Sequence, residues 1–285
     1  MKINRISPES SPYLQIVATI ANAPEKLYFL GKLPDQRRPS VAIVGTRKPT
    51  AYGKEVTHKL TYDLASYGVI IISGLALGVD AIAHRSALEA GGTTLAILGN
   101  GLPALQPSTN RSLGESIISS GGAVLTEYEP DTPALLHHFL ARNRIVSGLS
   151  DAIIITEAAA RSGTLNTAMH ALEQGREVFV VPGNITSSMS AGCNLLLRQG
   201  ATPVTSAEDV LEIIAPDLLR KQVMLPLGSN QLETDIIRLV AEGVRDGDEI
   251  QKRTGTDAAD FSVALTMLEL SGAIRSLGAN QWTLR

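Results

Sequence analysis

Short apolar runs, each closed by a turn and followed by a helical pattern, constrain this chain more than any other feature. In Val41-Ala-Ile-Val-Gly-Thr-Arg-Lys48, four apolar residues run straight into Gly45, Thr46 and Arg47. An apolar, largely β-branched run bounded by turn residues predicts a strand covered on both faces, as in a parallel sheet. Val56, Leu60, Leu64 and Tyr67 then repeat at helical spacing up to Gly68. The unit recurs. Residues 69–72 precede Ser73-Gly-Leu-Ala-Leu-Gly-Val-Asp80 and a helix over 81–90, with Asp80 as its expected N-cap. Strands are predicted at 93–98, 123–126, 151–156, 177–181 and 202–205, and helices near 110–119, 165–174 and 194–199. Ser206-Ala-Glu-Asp opens a last helix through Val210, Leu211 and Ile214. This alternation predicts an α/β fold, a Rossmann-like, doubly wound, mostly parallel sheet, over residues 39–214.

The flanking segments differ in kind. Residues 1–38 carry Pro8, Pro12, Pro24 and Pro34 and predict short helices wrapped on the domain, one with Leu14, Val17 and Ile20 on its apolar face. Residues 215–230, with Pro216, Pro226, Gly228 and Ser229, predict a linker. Residues 231–285 show helical patterns at 232–241 and 261–270, a segment 248–254 between them, and a hairpin turning at Gly278-Ala-Asn280. Three short helices and a terminal hairpin make a winged helix. Its nine Asp/Glu against six Lys/Arg, with Asp257, Asp260 and Glu269 around the third helix, are the wrong charge for reading duplex DNA. Protein contact or a structural cap is the expected role.

Composition narrows the chemistry. The single cysteine, Cys193, excludes an intrachain disulfide and a Cys-rich zinc site. The adjacent His137 and His138 are poorly arranged for two metal ligands on one helix face. No apolar run is long enough to span a bilayer, and no signal-peptide pattern is visible, so a cytoplasmic location without membrane association is expected. With a net charge of −3, any nucleic-acid partner has to be held by a local patch.

Ligands in open α/β sheets bind beyond the carboxyl ends of the strands, and several loops there are suited to an anion. Arg47 is delivered to such an end; its alternative role is a structural salt bridge. Ser73 and Gly74 open a glycine-bearing loop of the kind that turns N–H groups toward phosphate, although G-x-x-x-G spacing is not the dinucleotide fingerprint. Ser162, Gly163 and Thr164 are either a second anion cradle or an ordinary helix cap. His137-His-Phe-Leu-Ala-Arg-Asn-Arg144 combines an aromatic with two arginines, as single-stranded nucleic acid requires. If that segment is helical, Arg142 and Arg144 point to different faces. His84 is expected to be a packed structural histidine.

Taken together, Val41-Ala-Ile-Val-Gly-Thr-Arg, Ser73-Gly-Leu-Ala-Leu-Gly-Val-Asp, Arg142-Asn-Arg-Ile-Val-Ser-Gly-Leu-Ser, Ser162-Gly-Thr-Leu-Asn-Thr-Ala and Val178-Phe-Val-Val-Pro-Gly resemble the DNA-processing protein A (DprA/Smf) family in order and spacing. The resemblance implies a Rossmann-like domain that binds single-stranded DNA, forms a homodimer, protects incoming strands and helps load the RecA recombinase, with no cofactor. It implies DNA contacts at Gly45, Thr46, Arg47, Ser73, Gly74, Phe139, Arg142, Arg144, Ser162, Gly163, Thr164 and Asn166. The family often has Phe-Pro before Arg-Asn-Arg, and some members carry a lysine three residues before that phenylalanine; here the positions are Leu140 and Leu136.

The competing classes are a nucleotide sensor and a nucleoside-monophosphate phosphoribohydrolase of similar strand-and-loop plan. The glutamate of the hydrolases' Pro-Gly-Gly-x-Gly-Thr-x-x-Glu loop corresponds to Thr167, which cannot act as a carboxylate. Glu157 is the acid nearest that loop and is expected to hold Arg142 or Arg144 in place. A non-enzymatic binding module is the expectation.

Overall fold

The computed structural model describes residues 2–222 and 228–284. The chain forms two units, Met1–Pro216 and Asp217–Arg285. The first begins with β1 (Asn4–Ile6) and β2 (Leu27–Gly31). The alternation follows: β3 (Ser40–Val44), α1 (Ala51–Ser66), β4 (Ile70–Ser73), α2 (Val79–Glu89), β5 (Thr94–Ile97), α3 (Arg111–Ser119) and β6 (Ala123–Thr126). It continues with α4 (Leu136–Gly148), β7 (Ala152–Ile155), α5 (Thr164–Glu173), β8 (Glu177–Val180), α6 (Ala191–Arg198), β9 (Thr202–Pro203) and α7 (Ala207–Ile214).

All nine strands share one sheet in the order β1-β2-β6-β5-β4-β3-β7-β8-β9. Every pairing from β6 to β9 is parallel, and every residue of β3, β4, β5 and β7 is buried, as helices on both faces require. The α/β, mostly parallel fold read from the apolar runs is the one observed. From β3 the chain steps outward through β4, β5 and β6, then crosses back to β7 on the other side of β3. The carboxyl ends of β3 and β7 therefore flank the switch-point crevice.

Local chemistry sets the helix ends. Thr50 caps α1 by accepting from the Gly53 N–H at 3.1 Å, and Gly68 ends the following turn at φ +82°. Ser206 and Asp209 form a reciprocal capping box on α7. α2 starts earlier than expected, after Gly78 at φ +79°, so Asp80 is not its cap.

Two expectations about the flanks need correction. Residues 1–38 are not wholly helical: Leu14 and Val17 are buried around a short 3-10 turn, but β1 and β2 extend the sheet antiparallel beyond β6. Leu27-Tyr-Phe-Leu30, an apolar run ending in glycine, was the available signal. In the segment read as a linker, α8 (Pro216–Gln222) is helical, while residues 223–227 lie outside the described residues.

The second unit holds α9 (Gln231–Ala241), α10 (Gly247–Thr254), α11 (Ala258–Leu270), β10 (Ile274–Gly278) and β11 (Gln281–Leu284). Ile236, Ile237, Ile250, Phe261, Leu265, Leu268 and Ile274 form its core. Ala279 and Asn280, both at positive φ, make the two-residue hairpin turn. This is a winged helix.

Candidate nucleic-acid interface

At the switch point the loop after β3 is strapped down on two sides. The Thr46 N–H donates to the Glu157 carbonyl at 2.8 Å, and the Thr46 carbonyl accepts from the Val79 N–H at 3.1 Å. Gly45 has to be glycine, because a Cβ there would lie 2.6 Å from the Val79 side chain and 3.0 Å from the Glu157 carbonyl. The next residue, Arg47, is exposed and makes no side-chain hydrogen bond or ion pair among the described residues. Glu157 secures the far end of the same loop. Its carboxylate is buried and accepts from the Thr50 N–H at 2.8 Å and the Thr50 hydroxyl at 2.7 Å. It holds neither Arg142 nor Arg144, contrary to expectation.

The second loop does not offer the phosphate donors expected of it. Ser73 is buried and donates its hydroxyl to the Ile43 carbonyl at 2.7 Å. The N–H groups of Gly74 and Ala76 donate to the Asp80 carboxylate at 3.1 and 3.3 Å. The reason for glycine at 74 is Arg142, whose guanidinium would strike any Cβ placed there. Arg142 is itself buried: Nη1 donates to the Gly74 carbonyl at 2.8 Å and also to the Ile97 carbonyl. Burial lowers the Arg142 pKa, with Asp80 opposing; burial raises that of Asp80, with Arg142 opposing. Arg142 thus ties α4 to the ends of β4 and β5, and Ser73 and Gly74 serve that framework.

Because α4 is helical, Arg144 faces away from Arg142. Its two terminal nitrogens each meet a Glu127 carboxylate oxygen at 2.6 Å, and Nε donates to the Asn22 carbonyl at 2.9 Å. With 13% of its side chain exposed, Arg144 is withdrawn from the candidate set. The acidic loop is likewise engaged internally, Glu127 on Arg144 and Glu129 on Lys26 and Tyr28.

The remaining candidates come together. A cavity of about 350 Å³ is lined by Gly45, Thr46 and Arg47, by Phe139, Arg142 and Asn143 of α4, and by Ser162, Gly163, Thr164 and Thr167. Leu136 and Leu140, 78% and 47% exposed, complete its apolar wall. Sequence reasoning missed both leucines as wall residues, as well as Asn143; Leu136 and Leu140 one helical turn apart beside Phe139 were the available signal. Asn166 is not among the lining residues and reaches them through Asn143, whose amide donates to its Oδ1 at 3.4 Å.

The loop after β7 is less open than an anion cradle. The Thr164 N–H donates to Ser162 Oγ at 3.2 Å, while the Leu165 and Asn166 N–H groups donate to the carbonyls of Ser162 and Gly163 at 3.1 and 3.2 Å. Gly163 stands apart from the other cavity glycine. Its φ of −60° suits any residue, and a Cβ there would meet nothing within 4 Å. Among the described residues no contact requires glycine at 163.

His84 is buried, with Nδ1 2.7 Å from the Thr94 hydroxyl, and burial lowers its pKa to about 3. Among the described residues no group of three or more His, Cys, Asp and Glu side chains could hold a metal ion, and no helix is long and apolar enough to cross a membrane.

Comparison with known proteins shows the family to which the chain belongs. Residues 4–215 match the family model of the DNA recombination-mediator protein A, and residues 221–280 match that of the DprA winged helix domain. Protein Smf of Escherichia coli is 36% identical over 95% of this chain and 74% of its own. The DNA processing protein DprA of Streptococcus pneumoniae is 42% identical over 68% of each chain. Its X-ray structure aligns with a TM-score of 0.70 at 39% identity, over 75% of each chain. A structure of DNA processing protein A from Helicobacter pylori, described as giving insight into a single-stranded DNA binding mode, aligns with a TM-score of 0.67 at 33% identity, over 76% of this chain and 97% of that one. The chain belongs to the DNA recombination-mediator protein A family.

Proposed function

We propose that the first unit binds single-stranded DNA across the switch-point cavity and that the protein is a recombination mediator, not an enzyme. The observation that carries this is the pairing of an exposed, unpartnered Arg47 with the apolar wall of Leu136, Phe139 and Leu140 around one cavity. A cation beside a stacking surface suits a phosphate followed by an unstacked base. Duplex DNA keeps its bases paired and offers nothing to that wall. The Helicobacter pylori relative, whose structure is described by its single-stranded DNA binding mode, supports the same assignment.

Protection of incoming strands, loading of RecA, homodimer formation and a cytoplasmic location complete the proposal, on the strength of family membership. A phosphoribohydrolase is disfavoured, because Thr167 stands at the position of the hydrolases' glutamate, the Asp80 carboxylate that lines the cavity accepts from the Gly74 and Ala76 N–H groups, and the buried Glu157 carboxylate is bound to Thr50.

The test is binding of a fluorescent oligo-dT, against duplex and mononucleotide competitors, over a salt series. Log affinity for the single strand should fall linearly with log salt. Equal affinity for duplex and single strand, or a flat salt response, overturns the proposal.

A further inference from the structure

We infer that α11 of the winged-helix unit is a docking face for an amphipathic helix with basic flanks on a partner protein. α11 occupies the position of the helix that reads the groove in duplex-binding winged helices, yet it carries no lysine or arginine. Its inner face is accounted for: Phe261, Ala264, Leu265 and Leu268 are buried in the core of the unit. Its outer face is also apolar. Val263, Met267 and Leu270 are 63%, 53% and 78% exposed. Their spacing of four and then three residues aligns them in one stripe, and exposed Ala259 extends it by a turn.

A helix apolar on both faces is normally covered on both. Charge says what covers this one. The ionisable side chains within α11 are Asp260 and Glu269. Helical geometry sets Asp260 at the border of the stripe beside Met267, near the start of the helix, and Glu269 on the flank between the stripe and the buried face, near its end. A helix seated on the stripe thus meets the Asp260 carboxylate at one border. Charges over residues 231–285 are mostly acidic as well, nine of fifteen being Asp or Glu, giving a net charge of −3. A second copy of α11 would bring only carboxylates, with no cation on the helix to pair with Asp260. Polyanionic DNA is disfavoured for the same reason. The complement is a helix with apolar residues at i, i+3 or i+4, and i+7, flanked by lysine or arginine.

The probe is a synthetic amphipathic helical peptide with a leucine stripe and lysine flanks, labelled and titrated with the full chain by fluorescence anisotropy. Two control peptides accompany it: one with the same residues scrambled off a common face, and one with glutamate flanks. Saturable binding of the lysine-flanked peptide alone is expected. The V263S/M267S/L270S variant changes only exposed side chains and should weaken that binding at least tenfold without altering thermal unfolding. D260N/E269Q should weaken it less and reduce its salt dependence. Absence of binding, equal binding of either control peptide, or an unaffected serine variant overturns the assignment. So does concentration-dependent self-association of the full chain that the serine variant abolishes, since the occupant would then be a second copy.

Discussion

Arg47 and Arg144 were both expected at the DNA, but their surroundings predict opposite consequences for their removal. Arg47 has no partner among the described side chains, so Arg47→Ala removes nothing that supports the fold. What it removes is one charge-assisted contact to phosphate, worth about 1.5–3 kcal/mol, or roughly a tenfold to hundredfold loss of affinity. One phosphate contact fewer should also reduce the magnitude of the salt slope by about 0.7 for a single strand. Arg144→Ala leaves Glu127 largely buried without its bidentate partner and frees the Asn22 carbonyl. That loss should lower stability by about 1–3 kcal/mol and leave the salt slope alone. Oligo-dT titrations over a salt series, beside urea unfolding of both variants, separate the two effects. An unchanged dissociation constant in folded Arg47→Ala, or a reduced slope in Arg144→Ala, would refute the assignment of roles.

Gly163→Ala should keep wild-type stability, because the new methyl meets no atom of the described residues within 4 Å, yet should weaken oligo-dT binding severalfold if a strand packs against that backbone; unchanged binding removes residue 163 from the contact surface. Purified protein incubated with AMP or cytidine monophosphate should release no free base by chromatography, and Glu157→Gln should lower the urea midpoint by loosening Thr50; free base released in a Glu157-dependent manner would restore the enzyme reading. His84 titrates near pH 3 in the fold and near 6.5 when unfolded, so the unfolded state binds the extra proton between those values. Its contribution is intact above about pH 6.5 and declines as pH falls, by about 2 kcal/mol at pH 5. Urea midpoints of His84→Gln should show a shallower decline from pH 7 to 5 than wild type, and parallel declines would assign the acid sensitivity to other groups.

The fold was legible because strands buried on both faces must be apolar throughout, and 41–44, 69–72 and 152–155 are. β1 and β2 were harder to see, since they add antiparallel at an edge and sit among prolines that mask a short run. Within the site, the glycines show where local reading stops. Gly45 and Gly74 are glycine because Val79 and Arg142 crowd them, and both neighbours come from segments distant in sequence. From sequence each resembles a phosphate loop. The same holds for Arg142 and Arg144, whose spacing in a helix implies divergence without saying which one faces the cavity. The answer, that neither is free, depends on carbonyls at the ends of β4 and β5 and on a carboxylate from the acidic loop.

The anchoring of α4 bears on how such a protein could be stripped of its cargo. Arg142 fixes one side of the helix and Arg144 the other, both through pairs largely sheltered from solvent. Mobile ions screen exposed charges strongly and sheltered ones little. Raising ionic strength should therefore dissolve the attraction at Arg47 while the wall bearing Leu136, Phe139 and Leu140 keeps its shape. The emptied protein remains a finished mould, ready to refill when the salt is diluted, with no refolding in between.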